Sequence, residues 1–318
     1  KEAPTAAFAS FASVEEAKAI RPEFCSRWIC LDSETEWRFN WCRRPEERPV
    51  DFYKPDYDVS GWDVVKVPCS WQAMGINARQ RPYDRPYYTN ADWPFVPKFP
   101  ANSNCWPRVR GHKLPEGFTL KEDENPVGSY RRDFIVPAEW DGDEIYLEFG
   151  AVDSFFYLWV NGTYIGFSKS NRDPARFNVT KAVRPGKNMV AVEVYRFSDG
   201  SYLEAQDMFL LSGIARSVWL FHKPKTHIRD VFFTTSPVKK GDYSGDWKLD
   251  LKTDVTGKAD VKVLVFDDAG KAVGHDGLVF KSPKLWSAEC PNLYTLVLEL
   301  VDGGKTLEAI GFQLGFRE

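Results

Sequence analysis

Ser154-Phe155-Phe156-Tyr157-Leu158-Trp159-Val160-Asn161-Gly162-Thr163-Tyr164-Ile165-Gly166-Phe167 is the stretch on which the fold turns. Aromatic and β-branched residues fill two short runs, 154–160 and 163–167. Such residues fit a pleated, half-buried surface. Between the runs stands Asn161-Gly162. A two-residue type I′ turn needs positive φ at both positions, which Asn and Gly accept most readily, so the pair predicts a β-hairpin.

The pattern continues on both sides. Strands are predicted over 130–136, 145–149, 189–196 and 217–222. Upstream, Trp37, Phe39 and Trp41 alternate with Arg38 and Asn40 at the period of two that a strand imposes. Val64-Val65-Lys66-Val67 is a further run, stopped by Pro68. Many short strands separated by turns predict a β-sandwich of jelly-roll type over residues 1–224. One helix signal precedes them. Ser13-Val14-Glu15-Glu16 fits a capping box, which predicts about two turns ending before Pro22.

Pro224 marks a boundary. Beyond it, runs at 231–235, 247–253, 260–266, 277–280, 293–301 and 306–316 predict a second sandwich over residues 225–318. About seven short strands in such a span have the size and rhythm of an immunoglobulin-like domain. The fold class is therefore all-β, in two domains. A length of 318 residues suits two domains better than one.

Composition excludes several classes. With 43% hydrophobic and 27% charged residues the chain folds. A net charge of −3 gives no pull toward nucleic acid or anionic membrane, and no apolar run reaches the length of a transmembrane helix. The 48 aromatic residues (12 Trp, 13 Tyr, 23 Phe) suit large sandwich cores, and aromatic faces also stack on sugar rings. Cys25, Cys30, Cys42, Cys69, Cys105 and Cys290 follow no metal-ligand spacing and read as free thiols, with a Cys25–Cys42 or Cys30–Cys42 bridge as the alternative. The chain opens Lys-Glu-Ala-Pro, which fits a processed or a trimmed N-terminus and leaves cytoplasm and periplasm both open.

Catalytic patterns are lacking. His112, His222, His227 and His275 lie in no nucleophile or metal motif, and no Gly-rich phosphate loop joins a strand to a helix. On residue chemistry alone this is a binding module. Two regions carry its candidate chemistry. Residues 76–128 are rich in Pro, Asn, Gly and Arg and poor in periodicity, and a stretch that long inside a domain is usually functional. Residues 196–207, Arg-Phe-Ser-Asp-Gly-Ser-Tyr-Leu-Glu-Ala-Gln-Asp, crowd acids and hydroxyls after a strand. Those groups suit sugar hydroxyls and hard cations, or else turns and caps.

The segment Asp199-Gly200-Ser201-Tyr202-Leu203-Glu204-Ala205-Gln206-Asp207-Met208, continued by Ser212-Gly213-Ile214-Ala215-Arg216, resembles a motif of family 2 β-galactosidases. Trp62…Val67-Pro68-Cys69-Ser70-Trp71-Gln72, Tyr83-Asp84-Arg85-Pro86-Tyr87-Tyr88-Thr89-Asn90 and Phe155–Gly162 resemble further pieces of that family's sugar-binding domain, in the same order. Pro283–Glu289, Pro291-Asn292-Leu293-Tyr294 and Gly315-Phe316-Arg317-Glu318 resemble the end of its second domain. Residues 106–125 are longer than the family pattern. The Tyr-Thr-Asn and Gln-Asp elements favour β-galactosidases over the related β-glucuronidases and β-mannosidases.

The resemblance implies a substrate and a division of labour. The parent enzyme hydrolyses terminal β-galactosides, and its acid/base and nucleophile glutamates lie on a TIM barrel that follows the second sandwich. This chain stops at Glu318, so no catalytic residue is expected in it and it is expected to be inactive alone. Asn90 and Asp207 are the substrate-site residues implied by motif, with Asp207 also a sodium ligand in the full-length enzyme. Magnesium is implied in the barrel. The barrel itself and further copies of the full-length chain are the implied partners. The competing readings are a stand-alone carbohydrate-binding module, a structural fragment, and a piece of a family 2 β-glucuronidase or β-mannosidase.

Overall fold

The computed structural model describes residues 1–74, 83–84, 86–89, 125–204 and 208–317. It is all-β: its two α-helices, α1 (Val14–Ala17) and α2 (Ser201–Glu204), have four residues each. Contacts divide the chain into two compact units. The first comprises residues 1–2, 30–141 and 146–220; the second comprises 3–29, 142–145 and 221–318. Residues 3–29 thus pack with the second unit.

The strands run in chain order β1 (Trp28–Cys30), β2 (Ser33–Cys42), β3 (Asp63–Val67), β4 (Cys69–Ser70), β5 (Tyr87–Thr89), β6 (Val127–Val136) and β7 (Glu144–Phe149). Then follow β8 (Val152–Asp153), β9 (Phe155–Val160), β10 (Thr163–Ser168), β11 (Ala175–Asn178), β12 (Gly186–Tyr195), β13 (Met208–Leu210), β14 (Gly213–Ile214) and β15 (Val218–Lys223). The main layer of the first unit is a six-stranded sheet in the order β10-β9-β12-β6-β2-β3. Its inner face carries Val190, Val192 and Val194 of β12 and Leu158 and Val160 of β9, all fully buried. Across the sandwich, Phe156 of β9 meets Phe149 of β7 and Phe177 of β11 at centroid distances of 5.1 and 5.8 Å. β7 and β11 pair antiparallel from Ala175↔Phe149 to Asn178↔Tyr146.

The expected hairpin is present. β9 and β10 pair around Asn161 (φ 50°) and Gly162 (φ 83°). Asn161 does more than turn the chain. Its side chain donates to Ala182 O and Asn188 Oδ1 (both 2.8 Å) and accepts from Met189 N (2.9 Å), which fastens the turn to β12. On the outer face of the sheet, Arg131 gathers the segment after β2, donating to the carbonyls of Phe52, Lys54 and Tyr57 at 3.2, 3.2 and 2.8 Å. Phe52 is fully buried there against Met189 and Ala191. Many of the described aromatic residues of this unit are thus spent on packing.

The second unit contains β16 (Ile228–Pro237), β17 (Trp247–Val255), β18 (Asp260–Phe266), β19 (Val279–Phe280), β20 (Tyr294–Asp302) and β21 (Lys305–Leu314). They form two three-stranded antiparallel sheets, β16-β17-β19 and β18-β20-β21. The expected strand over 277–280 shrinks to two residues because Gly277 and Leu278 adopt positive φ (55° and 67°). Trp247, Leu249, Leu296, Leu298, Leu300 and Phe316 build the core between the sheets.

The N-terminal segment covers the other side of β20 and β21. Phe11 exchanges backbone hydrogen bonds with Ala309 (2.9 and 3.0 Å) and is buried with Ala17, Cys25 and Val297. Helix α1 is capped as expected, with Ser13 Oγ accepting from Glu16 N at 3.2 Å and Glu16 reaching back to Ala12 N at 3.4 Å. It is one turn, not two. The chain tightens into i→i+3 bonds after Glu16, and Ile20 takes φ 65°, closing the helix before Pro22 is reached. Cys25, Cys30, Cys42, Cys69 and Cys290 are free thiols, so the bridges considered from Cys25 and Cys30 to Cys42 are not made. Burial holds the Cys25 and Cys42 thiols up at about 11. They are inert at neutral pH.

Candidate functional site

The two segments singled out from the sequence are tied together in the first unit at several points. After β4, Trp71 N donates to Ser212 O (3.0 Å) and Ser212 N donates to the buried Gln72 Oε1 (2.8 Å). Tyr83 lies against Phe39 of β2 (4.9 Å, edge to face) and its hydroxyl donates to Asp63 Oδ2 at 2.7 Å. Asp84 forms an ion pair with Arg196, the residue that follows β12. β5 then pairs antiparallel with β13, in the register Met208↔Thr89, Phe209↔Tyr88 and Leu210↔Tyr87. At the far end of the long segment, the Asn125 side chain both accepts from Phe197 N and donates to Phe197 O (3.0 Å each). The described residues between β4 and β6 are therefore anchored to residues 196–212 at 71–72, 84–89 and 125.

A small cleft with room for about one water molecule (about 20 Å³) opens beside this junction, where Asp153, Asn171, Arg196, Ser201 and Glu204 meet Phe197, Met208 and Leu210. Asp153 ends β8 and Glu204 ends α2. Burial pushes the Asp153 carboxyl up to about 7 against the pull of the Arg172 guanidinium; the Glu204 carboxylate adds to the rise and a hydrogen bond with Asn171 opposes it. Burial raises Glu204 as well, and one of its oxygens, Oε2, is buried without a hydrogen-bond partner. The cleft thus offers a carboxyl that both donates and accepts near neutral pH, an amide, a hydroxyl and an unsatisfied acceptor.

The turn and cap roles considered for residues 196–207 are real too. Ser201 Oγ accepts from Ser198 N (3.1 Å), Asp199 Oδ1 from Gly200 N (2.9 Å), and Asp199 pairs with Lys169 (2.9 Å). Asn90 and Asp207 lie outside the described residues. What is described is the pair of residues next to them in the chain: Thr89 and Met208 are cross-strand partners. Two charges that position this region, Asp84 and Arg196, were inside the quoted motifs but had no role assigned. Asp153 and Asn171 were missed because they come from the two sides of the β9–β10 hairpin, and their meeting is a tertiary fact. The described histidines hold local contacts: His222 Nδ1 lies 2.7 Å from Asp143 Oδ2, His227 Nδ1 lies 2.8 Å from Pro224 O and His275 Nε2 lies 3.2 Å from Val263 O, while His112 lies outside the described residues. Among the described residues no group of three or more His, Cys, Asp or Glu is placed to hold a metal ion, and no helix is long and apolar enough to cross a membrane.

Comparison with known proteins places both units. Residues 112–224 match the family described as "Glycosyl hydrolases family 2, sugar binding domain", and residues 226–317 match "Glycosyl hydrolases family 2". Among curated proteins, the chain is 34% identical over 305 residues to a β-galactosidase of Priestia megaterium (strain DSM 319 / IMG 1521), covering 88% of this chain and 27% of that protein. It is 32% identical over 297 residues to the β-galactosidase large subunit of Leuconostoc lactis, covering 88% of this chain and 45% of that one. The chain therefore spans between a quarter and a half of the length of these relatives. Among solved structures, a β-glucuronidase from an uncultured Clostridium sp. superimposes with a TM-score of 0.64 at 17% identity, covering 92% of this chain and 45% of that one. At that identity the likeness is one of fold.

Proposed function

Since the chain belongs to family 2 of the glycosyl hydrolases, we propose that it is the N-terminal part of a β-galactosidase, lending substrate-site residues and a scaffold to a catalytic barrel. The observation that carries this reading is the β5–β13 ladder. It pairs Tyr87–Thr89 with Met208–Leu210, the described residues next in the chain to Asn90 and Asp207, which supports a shared role for these two distant motifs. The curated relatives, named as β-galactosidases at 32–34% identity over most of the chain, favour galactosides over the glucuronides named by the more distant structural neighbours.

In this reading Asn90 and Asp207 face the galactosyl unit, and the acid/base and nucleophile carboxylates come from the barrel. A glycosidase needs two carboxyl groups opposed across one bond. A sodium ion is part of the reading at Asp207, but the described residues do not themselves complete a cation site, and no step is assigned to a metal. A lone carboxylate is a weak site for a hard cation, so the other ligands must come from elsewhere.

The test is Asp207→Asn in the full-length enzyme, assayed on an aryl β-galactoside at varied sodium. The substitution keeps volume and removes charge. Activity falls and its sodium dependence weakens, with folding little changed. A variant that loses about 1 kcal/mol of stability with unchanged sodium dependence would mark Asp207 as a turn or capping residue and reject the assignment.

A further inference from the structure

The region of the cleft contains an arginine whose burial its chemistry does not require. Arg196 follows the last residue of β12, the strand bonded on one side to β6 (Tyr195↔Val127) and on the other to β9 (Tyr195↔Phe155). Its own N–H donates to Pro126 O at 2.9 Å. Its root is thus fixed by the centre of the six-stranded sheet. The side chain is 1% exposed. One end of the guanidinium, Nη1, is paired with the Asp84 carboxylate on the segment leading to β5. The other, Nη2, donates to Leu210 O of β13 at 3.2 Å. The ring of Phe197 lies below it, 5.2 Å from the guanidinium carbon.

Burying an ion pair gains little stability over apolar packing, because both charges lose their water. A brace needed only to fill space would be apolar. What the fork supplies is direction: two bonds at a fixed angle, one to the segment before β5 and one to β13. β5 and β13 pair with each other, and their chain neighbours are Asn90 and Asp207.

We propose that Arg196, acting through Asp84 and Leu210, is a positioning residue for the sugar site, tying the segment before β5 and the strand β13 to the six-stranded sheet. The proposal rests on the reading of Asn90 and Asp207 as substrate-site residues, and the experiment keeps the two apart. A site displaced by about an ångström loses substrate orientation without losing the fold.

In the full-length enzyme, Arg196→Lys, Asp84→Asn, the double variant and Asp207→Asn are compared for kcat and KM on an aryl β-galactoside. Lysine keeps the charge and cannot make both bonds at once. Each single variant of the clamp loses kcat/KM by about tenfold or more, with a large share in KM. The double variant falls no further than the worse single one, because both act through one contact. Amide exchange quickens over 87–89 and 208–210 and stays as it was over 190–194. If Arg196→Lys and Asp84→Asn stay within about twofold of wild type while Asp207→Asn is impaired, the site stands and the clamp does not. If Asp207→Asn is also unimpaired, the site reading fails and the clamp with it. Should Arg196→Lys not fold, Asp84→Asn, at the loop end of the contact, carries the same comparison.

Discussion

Asp153 keeps its proton at a pH where an unburied aspartate has lost it, because burial, helped by the Glu204 carboxylate, disfavours its charged form. The consequence for stability has a definite sign. The folded-state value, about 7, lies above the ordinary 3.8, so between those pH values the folded chain holds a proton that the unfolded chain releases. Stability contributed at this residue is complete at low pH and declines as pH rises through that window. Asp153→Asn removes the decline. Unfolding free energies of the variant from denaturant titration should match wild type near pH 4 and exceed it at pH 8, by at most about 4.5 kcal/mol at roughly 1.4 kcal/mol per unit of displacement. A gap that does not change with pH would show that Asp153 is not the group involved. Glu308 of the second unit is the contrasting case. It is fully buried and accepts from Ser10 Oγ (2.6 Å) and Ile228 N (2.8 Å). Glu308→Ala strands two buried donors and should cost roughly 2–4 kcal/mol by urea unfolding at neutral pH. A loss below about 1 kcal/mol would mean that the N-terminal segment is not held by this bond.

The β9–β10 hairpin was legible because everything that fixes it is local: two β-prone runs and an Asn-Gly pair that tolerates positive φ. Asn161→Ala tests the part that was not legible, namely its three side-chain bonds to Ala182, Asn188 and Met189. It should destabilise the first unit by roughly 2–3 kcal/mol, since it strains the turn and leaves the Met189 N–H unpaired. A loss no larger than the few tenths expected at an exposed turn would discount those bonds. The N-terminal segment is the opposite case. Ser13 and Glu16 announce the cap of α1, yet no local signal says that residues 3–29 lie against β20 and β21. A trace was available in Thr295-Leu296-Val297-Leu298-Glu299-Leu300-Val301, which is apolar on both faces. Leu296, Leu298 and Leu300 fill the core between the sheets, while Val297 is buried beneath Phe11 and Ala17. A run of that kind signals a strand covered on both sides. The loops of the site were readable as motifs but not as geometry, because the β5–β13 ladder and the Arg196–Asp84 pair link positions more than a hundred residues apart.

At the scale of the molecule, the chain is two all-β units of family 2, and the described start and end of one long segment are tied to residues 196–212 of the first unit. In the proposed reading the catalytic carboxylates belong to the barrel, so the 318-residue chain alone is expected to turn over no aryl β-galactoside; hydrolysis that survives purification and is lost on mutating an acid of the chain would reveal a catalytic pair within it. The central claim is that these domains serve a galactoside site, although their fold is shared with β-glucuronidases. The most direct test is the ratio of kcat/KM for an aryl β-galactoside to that for the matching aryl β-glucuronide, measured on the full-length enzyme. A site built to bond a hydroxymethyl group, with no partner for a carboxylate, should favour the galactoside by roughly a hundredfold or more. A ratio at or below one would contradict the account.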